Sequence, residues 1–363
     1  MVTENSTRTG SAIPDGLLDW SVAESNPLLR LNKIQSAARD KLIDRIKSGK
    51  IRVVPVEKCM DCEGRDFEQL CDRDRFGLPF TSVICRDCGL VATHPFISEE
   101  SLPAYYDEIY HPLTFGKRSA RDRLYLVDRR QGRKIFDFCK RAVAERGIRG
   151  GTAVEIGCAS GSNLAQFRNS AKRCGIELDV AGCDHESSYA QIAEDEFGLR
   201  FFAGGVETLI AAGIKADVVI MSHVLEHMYD LKAIRASLCQ LISPNGVVYV
   251  EVPGVGDLHR KYQYQYDYVR YRTHAHIYDF CLTTLAAAMK PEFSLDYGDE
   301  YCRAVFVGSG ELESDRTGVQ TSDGYSQIKA SLAAAETARS RHPWRAKVMR
   351  DLRRATNRIR RMF

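Results

Sequence analysis

The chain has 363 residues, 44% of them hydrophobic and 27% charged. That length supports one large core with smaller modules, and the mixture is that of a soluble globular protein. The formal net charge is +3, but ten Lys/Arg and one acidic residue, Asp351, lie between Arg339 and Phe363, so the rest of the chain is net acidic. No apolar run approaches the roughly 18 residues of a bilayer-spanning helix. Met1 to Gly16 is polar with no apolar signal core, and the twelve cysteines suit a reducing compartment better than a disulfide scaffold, so a cytoplasmic location is expected.

Residues 1–20 read as flexible, and Asn26 to Ser48 as a helix. Leu28, Leu29, Leu31, Ile34, Ala37, Leu42 and Ile46 give that helix a broad apolar face, and Gly49 stops it. Residues 51–98 then hold Cys59-Met60-Asp61-Cys62 and Cys85-Arg86-Asp87-Cys88, two Cys-x-x-Cys knuckles separated by 22 residues. Tetrahedral zinc takes four soft ligands, and each knuckle offers two from a tight turn, so Cys59, Cys62, Cys85 and Cys88 are expected to bind one structural Zn2+. The segment reads as poor in apolar side chains, which leaves much of its folding energy to the metal. Cys71 is a spare thiol. Ser98-Glu99-Glu100-Ser101-Leu102 starts a helix carrying Tyr105, Tyr106 and Tyr110, and the charged span Ser119 to Arg146 reads as helical.

Strands and helices alternate from there. Thr152 to Ile156, Leu178 to Cys183, Leu199 to Phe202, Ala216 to Met221 and Gly246 to Val252 read as strands. Ser162 to Cys174, Ser187 to Phe197 and Leu231 to Ile242 read as helices between them. The spacing predicts a mainly parallel sheet covered on both faces. Phe293 to Tyr297 and Cys302 to Val307 add an antiparallel pair, making seven strands. The expected division is a flexible or helical segment at 1–50, the cysteine module at 51–98, a helical connector at 99–150, an α/β domain at 151–308, and a linker with a basic helix at 309–363.

The first strand turns into its helix through Glu155-Ile156-Gly157-Cys158-Ala159-Ser160-Gly161. Glycine there leaves the backbone accessible, and the helix start offers free amides. Such a turn binds S-adenosylmethionine, nicotinamide or flavin cofactors, or is simply tight. Asp184, with His185 beside it, ends the second strand, where a carboxylate takes ribose hydroxyls or caps a helix.

The fourth strand runs into Met221-Ser222-His223-Val224-Leu225-Glu226-His227, and Leu241-Ile242-Ser243-Pro244-Asn245-Gly246 follows. Together with the glycine turn and Asp184, these motifs resemble the class I S-adenosylmethionine-dependent methyltransferases over about residues 120–308. The resemblance implies a Rossmann-like fold, with Glu155, Gly157, Cys158, Ala159 and Gly161 around the methionine end of the cofactor and Asp184 and His185 near the ribose. It puts Met221, Ser222 and His223 at the sulfonium and substrate mouth, and leaves Glu226 and His227 as structural or rim groups. Ala159 replaces the family's middle glycine, and Gly205 stands where an acid near the adenine is expected.

The cysteine module and the tyrosine helix narrow the resemblance to bacterial sugar C-methyltransferases of polysaccharide and antibiotic pathways. It implies an architectural zinc and a sugar, nucleotide-sugar or glycan-precursor acceptor. Tyr105, Tyr106 and Tyr110 are then cleft candidates, or aromatic packing. The loop after the fifth strand carries Thr273-His274-Ala275-His276, where those enzymes read Tyr-His-Glu-His. Candidate bases are His276, His274 and His223. Arg270 and Arg272 either hold substrate phosphates or are solvated charges, and the tyrosine-rich run before them is a hairpin, a dimer surface or part of the mouth. Trp344, Val348, Leu352, Ala355, Ile359 and Met362 give the tail the spacing of a basic amphipathic helix, which rests on the protein body, on a partner subunit or peripherally on an anionic membrane. The competing readings are a small-metabolite O- or N-methyltransferase, an RNA methyltransferase, which the acidic cysteine module argues against, and a non-catalytic binding protein.

Overall fold

A parallel strand in the middle of a sheet is covered by apolar layers on both faces. The segment from Gly150 onward meets that demand by strict alternation. The structure is a computed structural model that describes residues 18, 27–116, 130–309 and 323–341. Its main sheet contains β6 (Gly150–Ile156), β7 (Glu177–Asp184), β8 (Arg200–Ala203), β9 (Ala216–Ser222), β10 (Ile242–Glu251), β12 (Phe293–Gly298) and β13 (Arg303–Gly308). Their order is β12-β13-β10-β9-β6-β7-β8. The five strands from β10 to β8 are parallel, and β13 lies antiparallel between β10 and β12. This is the expected seven-stranded, mainly parallel Rossmann-like sheet.

Val154, Ile156, Val219, Met221, Val248 and Val250 point to one face, where Leu209, Leu231, Leu238 and Leu285 cover them. Ala153, Val218, Ile220, Val247 and Tyr249 point to the other, against Ile135, Phe136, Leu164 and Phe167. A fully buried Val, Leu or Ile contributes about 1.5–3 kcal/mol. The strand order reverses between β6 and β9, which opens a crevice at their carboxyl ends, the usual ligand position in such sheets.

A second sheet has four strands in the order β11-β4-β3-β2: β2 (Phe67–Cys71), β3 (Thr81–Cys85), β4 (Val91–His94) and β11 (Tyr278–Asp279). The short β1 (Val53–Val54) and β5 (Phe96–Ile97) pair beside it. The strand β11 comes from the loop after β10, so the cysteine segment completes its sheet with residues from far along the chain. That segment is also richer in core than its sequence suggested. Phe67, Phe76, Leu78, Phe80, Val83, Ile84 and Leu90 are all buried. They are divided among three separate clusters shared with other elements, so no local periodicity announces them.

Several boundaries differ from the sequence reading for local reasons. The first helix is Lys33–Lys47, because Asn32 caps it: its side chain accepts from the Gln35 amide at 2.9 Å and its own amide donates to Gln35 Oε1 at 3.1 Å. Glu99 to Phe115 is continuously helical, changing from 3-10 through α and π to α. A helix at Val206–Ala211 lies between β8 and β9, where none was expected. The tyrosine-rich run forms 3-10 turns and the short helix Tyr268–Tyr271, not a hairpin. Gly324–Arg341 is a helix that buries Ile328 and Ala335. Residues 1–17 and 19–26, with the expected helix start at Asn26, the start of the span Ser119 to Arg146, most of the 309–323 linker and the basic tail from His342 lie outside the described residues. No helix among the described residues is long and apolar enough to cross a membrane.

Arg272 fastens the loop after β10 to the second sheet. It is 1% exposed and donates to the Phe80 carbonyl, the Thr81 carbonyl and Thr93 Oγ1. Arg272→Met should strand those acceptors and lower the unfolding free energy by about 3 kcal/mol, seen as a lower urea midpoint at unchanged slope.

Candidate functional site

The turn between β6 and the helix Ser162–Arg173 has a left-handed backbone at Gly157 (φ +70°), Ala159 (φ +46°) and Gly161 (φ +78°). A Cβ on Gly157 would stand 2.5 Å from Val224 Cγ2, and one on Gly161 would stand 2.5 Å from Leu199 Cδ2. The glycines therefore admit neighbouring side chains as well as baring the backbone. Ala159 has no such freedom, and a left-handed alanine costs on the order of 1 kcal/mol. Its amide donates to Asp184 Oδ2 at 2.9 Å, while Asp184 Oδ1 accepts from the Glu186 amide at 2.9 Å. Asp184 thus braces the turn, and each of its oxygens keeps a lone pair.

Glu155 is 1% exposed in the strand just before this turn. Its Oε1 accepts from Asn163 Nδ2 at 3.3 Å, and its Oε2 is buried without a partner. Burial pushes its pKa up to about 8, the Asp184 charge adds to the shift, and the Asn163 amide opposes it. A buried carboxylate with an open oxygen is suited to a cationic ligand group. Gly205 donates its amide to Glu207 Oε1 at 2.8 Å, so an acid does reach that corner, two residues later than the family pattern. His185 is exposed, and Cys158 is buried. Met221 is fully buried on the same sheet face as Val219. Strand alternation turns it into the core, away from the mouth where it was expected.

His223 follows β9 in a left-handed conformation (φ +59°), with its amide donating to the Glu251 carbonyl at 2.7 Å. That turn lifts its ring out of the sheet, leaving the side chain 54% exposed. Nδ1 lies 3.7 Å from Glu226 Oε1 and Nε2 lies 4.0 Å from Glu251 Oε1. Burial opposes charge on the ring, but the two carboxylates outweigh it and hold its pKa above the ordinary value. Glu251 is itself fixed by Gln131 Nε2 at 2.7 Å and the Tyr249 hydroxyl at 2.9 Å.

The three candidate bases separate on geometry. His274 is 2% exposed and has both nitrogens engaged. Its Nδ1 donates to Asp74 Oδ2 at 2.6 Å, its Nε2 meets the Tyr105 hydroxyl at 2.9 Å, and its ring stacks on Phe80 at 4.8 Å. His274 and Tyr105 are therefore a buried clamp. His276 lies among Glu226, His227 and His223, and desolvation pushes its pKa well below the ordinary value. Arg270 is half-buried and donates through Nη1 to the Leu28 carbonyl at 2.7 Å, whereas Arg272 is buried as described and is not presented to a phosphate. Tyr106 and Tyr110 are half-buried, and Tyr110 meets His227 edge-on at 6.3 Å between ring centroids. A small cavity beside them is lined by Tyr105, Tyr106, His227, Tyr229 and Ala275.

Glu226 and His227 were expected to be structural or rim groups. Glu226 is 1% exposed with neither carboxylate oxygen hydrogen-bonded. Its ligating atoms and those of His227 and His276 all lie within 4.8 Å of one another. The signal in the sequence was the pairing of Glu226-His227 with a distant histidine, and only the fold makes it a cluster.

The four cysteine sulfurs also converge within 4.8 Å, with Cys59 Sγ to Cys88 Sγ and Cys62 Sγ to Cys85 Sγ each at 3.5 Å. Four thiolates about 2.3 Å from one ion would have edges slightly longer than that, so the donor set fits tetrahedral zinc.

An unfolded glutamate has a pKa of about 4.3, whereas burial pushes that of folded Glu155 up to about 8. Between those values the folded chain holds a proton the unfolded chain has released, so stability falls as pH rises. Glu155→Gln should remove that dependence. Its stability advantage over the parent should grow from pH 5 to pH 8 by at most about 1.4 kcal/mol per pH unit, measured by denaturant unfolding without ligand.

The family described as "Methyltransferase domain" matches residues 127–290. The C-methyltransferase NovU of Streptomyces niveus is 26% identical over 264 residues, covering 64% of this chain and 54% of NovU. The chain thus spans about half the length of that curated relative. Among solved structures, DesVI of Streptomyces venezuelae is 18% identical over 36% of this chain and 55% of its own, with a TM-score of 0.30. CalS10, an S-adenosylmethionine-bound amino pentose methyltransferase from Micromonospora echinaspora, is 19% identical over 38% and 57%, also with a TM-score of 0.30. The sheet with its switch point, the glycine turn after β6, the carboxylate ending β7 and the matched segment agree that residues 127–290 form a methyltransferase domain.

Proposed function

We propose that the protein transfers a methyl group from S-adenosylmethionine to a sugar-type acceptor: a sugar, a nucleotide-sugar or a glycan precursor. The observation that carries the donor half is Glu155, a buried carboxylate with an unpartnered oxygen beside a left-handed turn at the switch point. Glu155 would face the cofactor's ammonium group, Gly157 to Gly161 its methionine end, and the free lone pairs of Asp184 its ribose hydroxyls. Bound there, the cofactor supplies an electrophilic methyl group on a sulfonium. The similarity to NovU, a C-methyltransferase, supports methyl transfer, and the resemblance of the cysteine module and the tyrosine helix to sugar C-methyltransferases supports a sugar as acceptor.

His223 is the base in this reading. It follows β9 at the switch point, it is the exposed one of the three candidates, and two carboxylates flank it. His223 takes the acceptor's proton as the acceptor's electron pair forms the bond to the methyl carbon and the carbon–sulfur bond breaks. A neutral thioether leaves. Glu251, tied to Gln131 and Tyr249, orients the ring. The four cysteines hold one zinc ion that fixes the knuckles and takes no part in the transfer.

The test is transfer of labelled methyl from S-adenosylmethionine to a panel of nucleotide-sugars and glycan fragments, with product identification. Label should appear in a sugar product. His223→Asn should lower kcat by about 100-fold or more, with the cofactor Kd held within twofold by calorimetry. Absence of cofactor binding, or label only in a non-sugar product, overturns the reading.

A further inference from the structure

We infer that Glu226, His227 and His276 form a second metal site, distinct from the four cysteines, that takes a divalent first-row transition cation. Two features point to a ligand there. The first is the cluster: one carboxylate and two imidazoles converge with their donor atoms within 4.8 Å of each other. The second is Glu226 itself, 1% exposed with both oxygens lacking a hydrogen-bond partner. A buried carboxylate without a hydrogen-bond donor is costly, and a cation removes the cost. Among the described residues, its ion-pair partners are only the rings of His223 at 3.7 Å and His227 at 3.8 Å.

The imidazoles are oriented for the task. His227 Nδ1 lies 2.8 Å from the Ala275 carbonyl, which can only accept, so Nδ1 carries the hydrogen and Nε2 presents a lone pair. Such a histidine–carbonyl bond is the usual support of a metal-bound imidazole. That Nε2 lies 3.8 Å from Glu226 Oε1. Two donors each about 2.1 Å from one ion stand about 3.0 to 4.2 Å apart as their angle opens from 90° to 180°, so the spacing admits a shared ion. The His276 ring has no hydrogen-bond partner among the described residues, and it meets His227 at 5.0 Å between centroids with planes at 84°. Two imidazoles and one carboxylate select Mn2+, Fe2+, Co2+ or Zn2+ over calcium.

Three protein ligands leave coordination positions open. The cation site does not rest on the methyl-transfer reading.

The experiment counts metal without cofactor or acceptor. The full-length protein is equilibrated with micromolar Zn2+, dialysed, and analysed by elemental mass spectrometry. The parent should retain two zinc ions per chain. Glu226→Gln, His227→Ala and His276→Ala should each retain one, the ion on the cysteines, whose retention together with a single cooperative melting transition shows that the fold persists. Cys62→Ser combined with Cys88→Ser should lose the other ion and leave this one. One zinc per chain in the parent, or two in all three single variants, overturns the proposal. A calorimetric titration with S-adenosylmethionine, run in parallel, shows separately whether the donor site stands.

Discussion

A guanidinium taken out of water needs acceptors for its donors, and Arg272 finds them on Phe80, Thr81 and Thr93. Those acceptors belong to the second sheet and the loop entering it, while Arg272 belongs to the loop after β10. Four residues later comes His276, whose carbonyl accepts from Thr93 Oγ1, and the next amide, that of Ile277, donates to the Glu226 carbonyl at 2.8 Å. One buried cation thereby sets the distance between the cysteine-bearing sheet and the crevice of the main sheet. Asp74 and Tyr105 reinforce the same joint through His274. The histidines of one loop divide the labour: His274 holds the loop, and His276 is held by it.

The main sheet was readable because its cause is local. Alternating apolar residues between helical stretches specify buried parallel strands, and the turn from Glu155 to Gly161 marks where the first one ends. The same alternation would have kept Met221 out of the mouth, since it shares a face with Val219, whereas Ser222 and His223 open outward. The cysteine quartet was readable for a different reason, because its spacing is itself the ligand geometry.

What the sequence concealed is non-local. A charged residue in a loop resembles a ligand contact until its acceptors are known, and those of Arg272 lie about 180 to 190 residues earlier. Glu226-His227 is an ordinary stretch beyond a strand until the loop after β10 brings His276 against it. The buried residues of the cysteine segment escaped notice because they serve three clusters.

The strand Tyr278–Asp279 has a consequence for the order of assembly. The cysteine knuckles leave the ribosome early, but the sheet beneath them lacks its last strand until nearly 200 further residues have been made. Loop closure over that distance is slow, so the knuckles are made well before the sheet beneath them is complete. The segment is thus no detachable cassette. Grafted elsewhere with its cysteines intact, it would expose the edge of β4, an open template for strand addition by other chains.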